Sequence, residues 1–236
     1  MFSTVASASI YGVDSRLVHV EADVGDGLPG FNMVGYLSTQ VKEAQDRVRT
    51  ALKNSGYHLE PRRITVNLSP ADLRKSGSGF DLPIAVAIVA GYGRITPKQL
   101  EGVLIVGELS LNGEVNRVTG ILPIVSEAAK YGCTRCIIPY GNRNEGAVIG
   151  DIDVIPVRSL QEVVEYLQGK RAIMPVEKKR VLPGLEAGIS GEMEDFSEIN
   201  GQALVRRAAE IAVSGFHNFL MVGPPGAGAC VKIRLS

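Results

Sequence analysis

The sequence predicts an α+β fold in which a mixed sheet is packed by helices, and three observations carry that expectation. Arg16–Val24, "RLVHVEADV", sets Val18, Val20, Ala22 and Val24 against His19, Glu21 and Asp23, the two-residue period of a half-buried strand. Val41, Ala44, Val48, Ala51 and Leu52 recur at helical spacing along "VKEAQDRVRTALKNSG", and Gly56 is a natural stop. Strand and helix patterns then alternate as far as Gly169 with hairpin signals among them, which argues against a doubly wound sheet.

The remaining elements follow in order. "RRITVNLS" (Arg62–Ser69) reads as a second strand. After "KSGSG", the stretch "FDLPIAVAIVAGYG" reads as a largely buried helix, with Asp81 as its N-cap and Pro83 in its first turn. "VLIVGELS" reads as one strand that turns through "NGEVNRV" into a hairpin partner. "ILPIVSEAAKYG" is a further helix, and "RCIIP" and "DIDVIPV" are short strands. Ser159 with Glu162 makes a capping box for "LQEVVEYLQG". Residues 1–169 thus form one domain, and 170–197 form a linker of charge, Pro and Gly without sustained period. Residues 198–236 begin a second domain: Asn200 caps a helix whose apolar face includes Leu204, Ala208, Ile211 and Ala212, and Phe219–Val222 is an apolar strand.

Composition narrows the function. At 236 residues and 45% hydrophobic content, the chain has enough apolar material for a real core. Lys+Arg and Asp+Glu balance at 25 each, so no global field demands nucleic acid or a membrane. No run reaches transmembrane length and "MFSTVASASIYG" lacks the basic and apolar segments of a leader. With three cysteines and no export signal, the expectation is a cytoplasmic protein with no membrane partner.

One motif bears on nucleotide chemistry. Gly223, Pro224, Pro225, Gly226, Ala227 and Gly228 match the first six positions of a phosphate-binding loop, G-x-x-x-x-G-K-[ST]. The Lys that reaches the β/γ-phosphates and the hydroxyl that holds Mg²⁺ are replaced by Ala229 and Cys230. Lys232 lies too far along to substitute, and the sequence stops six residues after Cys230. The chain is therefore expected to carry an incomplete nucleotide-binding loop and no cofactor of its own.

The other motifs are weaker. Cys133-Thr134-Arg135-Cys136 is a C-x-x-C with no second ligand pair for zinc, and it precedes a strand instead of opening a helix. His19, His58 and His217 are scattered singly, and Asp14, Glu21, Asp23 and Asp26 lack metal-loop spacing. Between Lys42 and Lys75, eight basic residues (Lys42, Arg47, Arg49, Lys53, Arg62, Arg63, Arg74 and Lys75) face four acids. That local excess reads either as a solvated helix face or as a patch for nucleic-acid phosphates, with Arg47, Arg49, Lys53, Arg62 and Arg63 sharing one face.

Five stretches carry a family resemblance: "LPGFNMVGY", "VKEAQDRVRTALKNSGY", "RRITVNLSPADLRKSGSGFDLPIA", "GELSLNGEVNRVTGILP" and "INGQALVRRAAEIAVSGFHNFLMVGPPGAG". Together they resemble the ComM/YifB family of magnesium-chelatase-like AAA+ ATPases over nearly all of residues 1–228. The resemblance implies a Lon-protease-like domain (ribosomal-protein-type βαβ) followed by the start of an AAA+ domain. It also implies a role in ring-forming DNA motors that drive branch migration in natural transformation. ATP and Mg²⁺ are implied only for an intact member. The tail "ACVKIRLS" departs from the family, as a frameshift or an artificial junction would leave it.

A Lon-like fold raises a peptidase alternative, because Lon enzymes pair a Ser nucleophile with a Lys. Lys75, Ser76 and Ser78 sit together in the sequence, but the resemblance places Gly79 at the nucleophile position and Leu122 at the lysine position. The expected role is a non-catalytic domain supporting assembly or DNA engagement, with weak, non-specific DNA binding and self-association as partner modes. A Ser–Lys peptidase and a stand-alone interaction domain are the alternatives.

Overall fold

The computed structural model describes residues 1–11, 14–57, 59–177, 203–215 and 217–222. Its central element is a long antiparallel pair, β1 (Phe2–Tyr11) and β2 (Asp14–Gly25), in register from Phe2 opposite Asp23 to Tyr11 opposite Asp14. β4 (Arg63–Ser69) runs antiparallel to β2, and β3 (Gly30–Val34) lies parallel to β4 at the edge. On the other side of β1 stand three parallel strands, β5 (Val103–Ile105), β8 (Arg135–Pro139) and β9 (Asp153–Val157). The seven strands are ordered β3-β4-β2-β1-β5-β8-β9. The fold is mixed α/β, in keeping with the α+β expectation.

The two halves of the sheet explain two kinds of sequence. In the antiparallel half one face is covered, so Val18, Val20 and Ala22 are buried while His19 and Asp23 stay exposed. In the parallel half both faces are covered. Ile137 joins the core cluster under α2 (Ala44–Asn54), α3 (Asp81–Gly91) and α7 (Leu160–Leu167), while its neighbours Cys136 and Ile138 join the cluster under α5 (Ile121–Lys130). That double burial is why "RCIIP" reads as an unbroken apolar run.

Short helices complete the connections: α1 (Thr39–Lys42), α4 (Pro97–Leu100) and α6 (Arg143–Gly146). Among the described residues no helix is long and apolar enough to cross a membrane.

Several sequence expectations are corrected. The stretch Val103–Ser110 is not one strand: after β5 the chain breaks at Gly107, and β6 (Glu108–Leu109) pairs with β7 (Val115–Asn116) as a separate hairpin. Gly107 donates to the Gly79 carbonyl (2.9 Å) and accepts from Leu82 N–H (2.9 Å), and a Cβ there would come within 2.9 Å of Leu82 Cδ2. Asp81 is not the N-cap of α3: Phe80 takes that place with helical backbone angles, and Asp81 is the first helical residue, fully buried. The Ser159 half of the capping box forms, with Ser159 Oγ accepting from Glu162 N–H, but Glu162 accepts from Arg158 N–H instead of Ser159. The chain also stays attached past Gly169: Arg171 pairs with Glu162 (2.9 Å), and Val176 N–H donates to Val154 O (2.8 Å).

Contacts divide the chain into two units, Met1–Arg180 and Val181–Ser236. In the second, α8 (Ala203–Ser214) buries Ala209 and Ala212 and leaves Leu204 and Ile211 exposed, which differs from the expected apolar face. Phe219–Val222 is not a strand. Asn200 lies outside the described residues.

Candidate functional site

The glycine-rich segment before α3 is the first place where chemistry could reside. Ser78 Oγ donates to the Glu108 carboxylate, which also accepts from Asn116 Nδ2 at 3.3 Å. The next residue, Gly79, lies against Val106 and Val118. Lys75 is fully buried, and its ammonium donates to the Pro70 carbonyl. Its backbone spans two elements, with Lys75 N–H donating to Tyr36 O (2.9 Å) and Ser38 N–H to Lys75 O (3.0 Å). Burial pushes the Lys75 amine below the usual lysine range, with Asp72 pulling the other way. The serine and the lysine are thus committed to separate partners. Leu122 sits in the first turn of α5, partly exposed, its N–H donating to Glu145 Oε1 (3.2 Å).

The basic residues from Lys42 to Lys75 do not form one face. Arg47 turns inward and grips Asp81, with Nε 2.8 Å from Oδ2 and Nη2 3.0 Å from Oδ1. Burial pushes the Asp81 carboxyl up, while the Arg47 guanidinium and the Leu109 N–H pull it down. Lys75, being buried, is not placed to meet a phosphate. Arg62 precedes β4 and pairs with Glu60 and Asp26, while Arg63 is the exposed first residue of β4. Arg74 is exposed on the loop before Lys75.

What the fold does bring together is Arg49 and Lys53 from α2 with Arg62 from the chain just before β4. They rim a concavity of about 330 Å³ whose wall includes Phe31, Tyr57 and Tyr92. Arg62 is held there by Glu60 (3.0 Å) and Asp26 (3.7 Å), and its pKa is raised chiefly by the Glu60 hydrogen bond. The aromatic members were not legible as a group, since Phe31 lies on β3 and Tyr92 just after α3.

The cysteine pair is structural in setting. Cys136 is wholly buried and Cys133 partly so, and burial pushes both thiols up, away from the reactive thiolate. No group of His, Cys, Asp and Glu suited to a metal ion occurs among the described residues. Gly223–Gly228, Ala229 and Cys230 lie outside the described residues, as does His58.

Comparison with known proteins supplies the family. Residues 20–142 match the family described as subunit ChlI of Mg-chelatase, and residues 195–235 match magnesium chelatase, subunit ChlI. The chain is 38% identical over 226 residues to YifB of Escherichia coli (strain K12), covering 96% of this chain and 43% of that protein. It is 39% identical over 225 residues to the competence protein ComM of Haemophilus influenzae, covering 95% of this chain and 44% of that protein. A Lon protease of Trichlorobacter lovleyi is 25% identical over 183 residues, 72% of this chain and 22% of the protease. The chain thus spans less than half the length of these relatives. With both its segments matched in one order and identity sustained along nearly its whole length, the chain belongs to the ComM/YifB-type family of magnesium-chelatase-like proteins.

Proposed function

We propose that the first unit, Met1–Arg180, acts as a Lon-like, non-catalytic domain of an AAA+ protein, supporting assembly or DNA engagement of an ATP-dependent DNA-processing motor. The observation that carries the non-catalytic part is the separation of Lys75 from Ser78. The lysine ammonium donates to Pro70 O while the serine donates to Glu108, so neither activates the other. The similarity to a Lon protease supports the scaffold, and Gly79 and Leu122 stand where the resemblance expects the dyad. Ala229 and Cys230 supply neither an ammonium for phosphates nor a hydroxyl for Mg²⁺, so the donor set does not fit Mg·ATP.

The DNA part rests on Arg49, Lys53 and Arg62 around an aromatic-walled concavity. Cationic rims bind phosphates without regard to sequence, and aromatic faces accept unstacked bases. Fluorescence anisotropy with labelled single-stranded and duplex DNA tests this. Wild-type chain is expected to bind in the roughly 10⁻⁴–10⁻⁶ M range of non-specific contacts, and Arg49→Glu/Lys53→Glu to weaken binding steeply. Equal binding by the two proteins would remove the concavity from the DNA reading. Cleavage of fluorogenic casein that disappeared in Ser78→Ala would instead favour the peptidase.

A further inference from the structure

A second cationic group lies away from that concavity, assembled from residues far apart in sequence. Tyr140 follows the last residue of β8, and Arg158 follows the last residue of β9. The Arg158 guanidinium carbon lies 3.3 Å from the Tyr140 ring centroid and that of Arg143 lies 4.1 Å from it. The two cations therefore share one aromatic ring. Arg143 Nη1 also donates to the Tyr140 carbonyl (3.1 Å), which fixes its approach. A third arginine is delivered by the hairpin. Val115 N–H donates to Arg158 O (2.8 Å), clipping β7 to the end of β9, and Arg117 follows two residues later. The Arg117 side chain lies across Gly141, where an added Cβ would come within 2.3 Å of Arg117 Cγ. Glycine there keeps the room that the Arg117 stem occupies.

Among the described residues none of the three arginines makes an ion pair, although the chain as a whole is neutral. Two neighbouring acids are engaged elsewhere: Glu162 with Arg171 and the Arg158 N–H, and Glu145 with Asn142 and the Leu122 N–H. Like charges held on one ring cost free energy unless an anion completes the group. Planar guanidiniums with free edges match the oxygen pairs of a phosphate, and aromatic stacking aligns those planes in advance. The position fits too, because open parallel sheets bind ligands beyond the carboxyl ends of their strands.

We propose that Arg143 and Arg158, both against the Tyr140 ring at the carboxyl ends of β8 and β9, form with Arg117, whose stem lies on the adjacent Gly141, a binding site for a phosphate group. The group belongs either to a nucleic-acid backbone or to a free phosphate or nucleotide. This site does not depend on the Arg49–Lys53–Arg62 concavity, and its variants are different residues.

The test uses the full chain. Inorganic phosphate and ATP are titrated separately while the arginine Nε–Hε resonances are followed, and labelled single-stranded and duplex oligonucleotides are titrated across a salt series. Wild type is expected to show saturable shifts at these three arginines. Arg117→Gln/Arg158→Gln is expected to abolish the shifts and, if the source is nucleic acid, to lower the salt slope by about 0.9 per arginine on duplex and about 0.7 on single strands. Loss of phosphate and ATP binding with oligonucleotide binding unchanged would assign the small anion as the source. Should the double variant lose its thermal transition, Arg158→Lys keeps the charge and removes the planar face, and it should fold normally yet bind more weakly. Resonances at the three arginines that move with none of the four probes would overturn the proposal. So would phosphate, ATP and oligonucleotide affinities that are the same in wild type and Arg158→Lys.

Discussion

Arg47 and Asp81 tie α2 to the first turn of α3 through two parallel hydrogen bonds, Nε–Oδ2 at 2.8 Å and Nη2–Oδ1 at 3.0 Å. The Asp81 side chain is fully buried and the Arg47 side chain about a quarter exposed. A third donor, the Leu109 N–H at 3.3 Å, brings the β6–β7 hairpin onto the same carboxylate. One buried acid thus joins three parts of the chain.

Arg47→Ala is expected to destabilise the fold by about 3 kcal/mol at neutral pH, the lower end of the cost of stranding a buried charge. The loss should shrink in acid. Without Arg47 the folded Asp81 pKa rises further above its unfolded value, so the penalty is absent below the unfolded value and grows as pH climbs through the folded one. Urea unfolding of wild type and variant at several pH values measures this. A difference in stability that stays constant from acid to neutral pH would contradict the ion-pair account.

Lys75→Met is expected to stay within about 1 kcal/mol of wild type at neutral pH, because an apolar replacement removes the cost of burying an ammonium. Exposed Pro70 can give its carbonyl to water instead. Since the folded amine titrates below the unfolded one, wild type should gain stability relative to the variant as pH rises toward the ordinary lysine range. DNA affinity and its salt slope should be unchanged. A reduced slope in Lys75→Met would return this lysine to the phosphate-contacting set.

Gly91→Ala tests the packing of α3 on the sheet. Alanine improves helix propensity by up to about 1 kcal/mol, yet its Cβ would lie 2.7 Å from Val24 Cγ2. Overpacking of that kind typically costs about 1–3 kcal/mol, so the net change should be destabilising. A raised melting temperature would mean that β2 yields more easily than its buried register suggests.

Limited trypsin digestion should leave the bonds after Lys170 and Arg171 intact while the first unit stays folded. Arg171 is paired to Glu162 and Glu165, and the chain remains tied to β9 as far as Val176. A first product ending at Lys170 or Arg171 would restore the earlier boundary at Gly169.

The sequence by itself determined whatever depends on local period. Val18, Val20 and Ala22 announce the covered face of β2, and Val41, Val48 and Leu52 announce the face that α1 and α2 bury. Long shared motifs likewise identified the family. Periodicity could not reveal β1, because Ser3, Ser7 and Ser9 occupy buried positions that an apolar pattern would fill. Nor could it see that Val103–Ser110 breaks at Gly107, since the break follows from the close approach of Leu82 and Gly79. Charge count along the chain likewise could not say which cations share a surface. Arg47 is withdrawn by Asp81, 34 residues away, Arg62 is paired with Glu60 and Asp26, and Lys75 is sealed inside. Arg143 and Arg158 meet on Tyr140 because the parallel strands β8 and β9 end side by side, and the β6–β7 hairpin sets Arg117 on the adjacent Gly141. Local structure follows from neighbours in the chain, whereas a site is made of side chains whose distances are set by sheet order, and sheet order is a property of the folded whole.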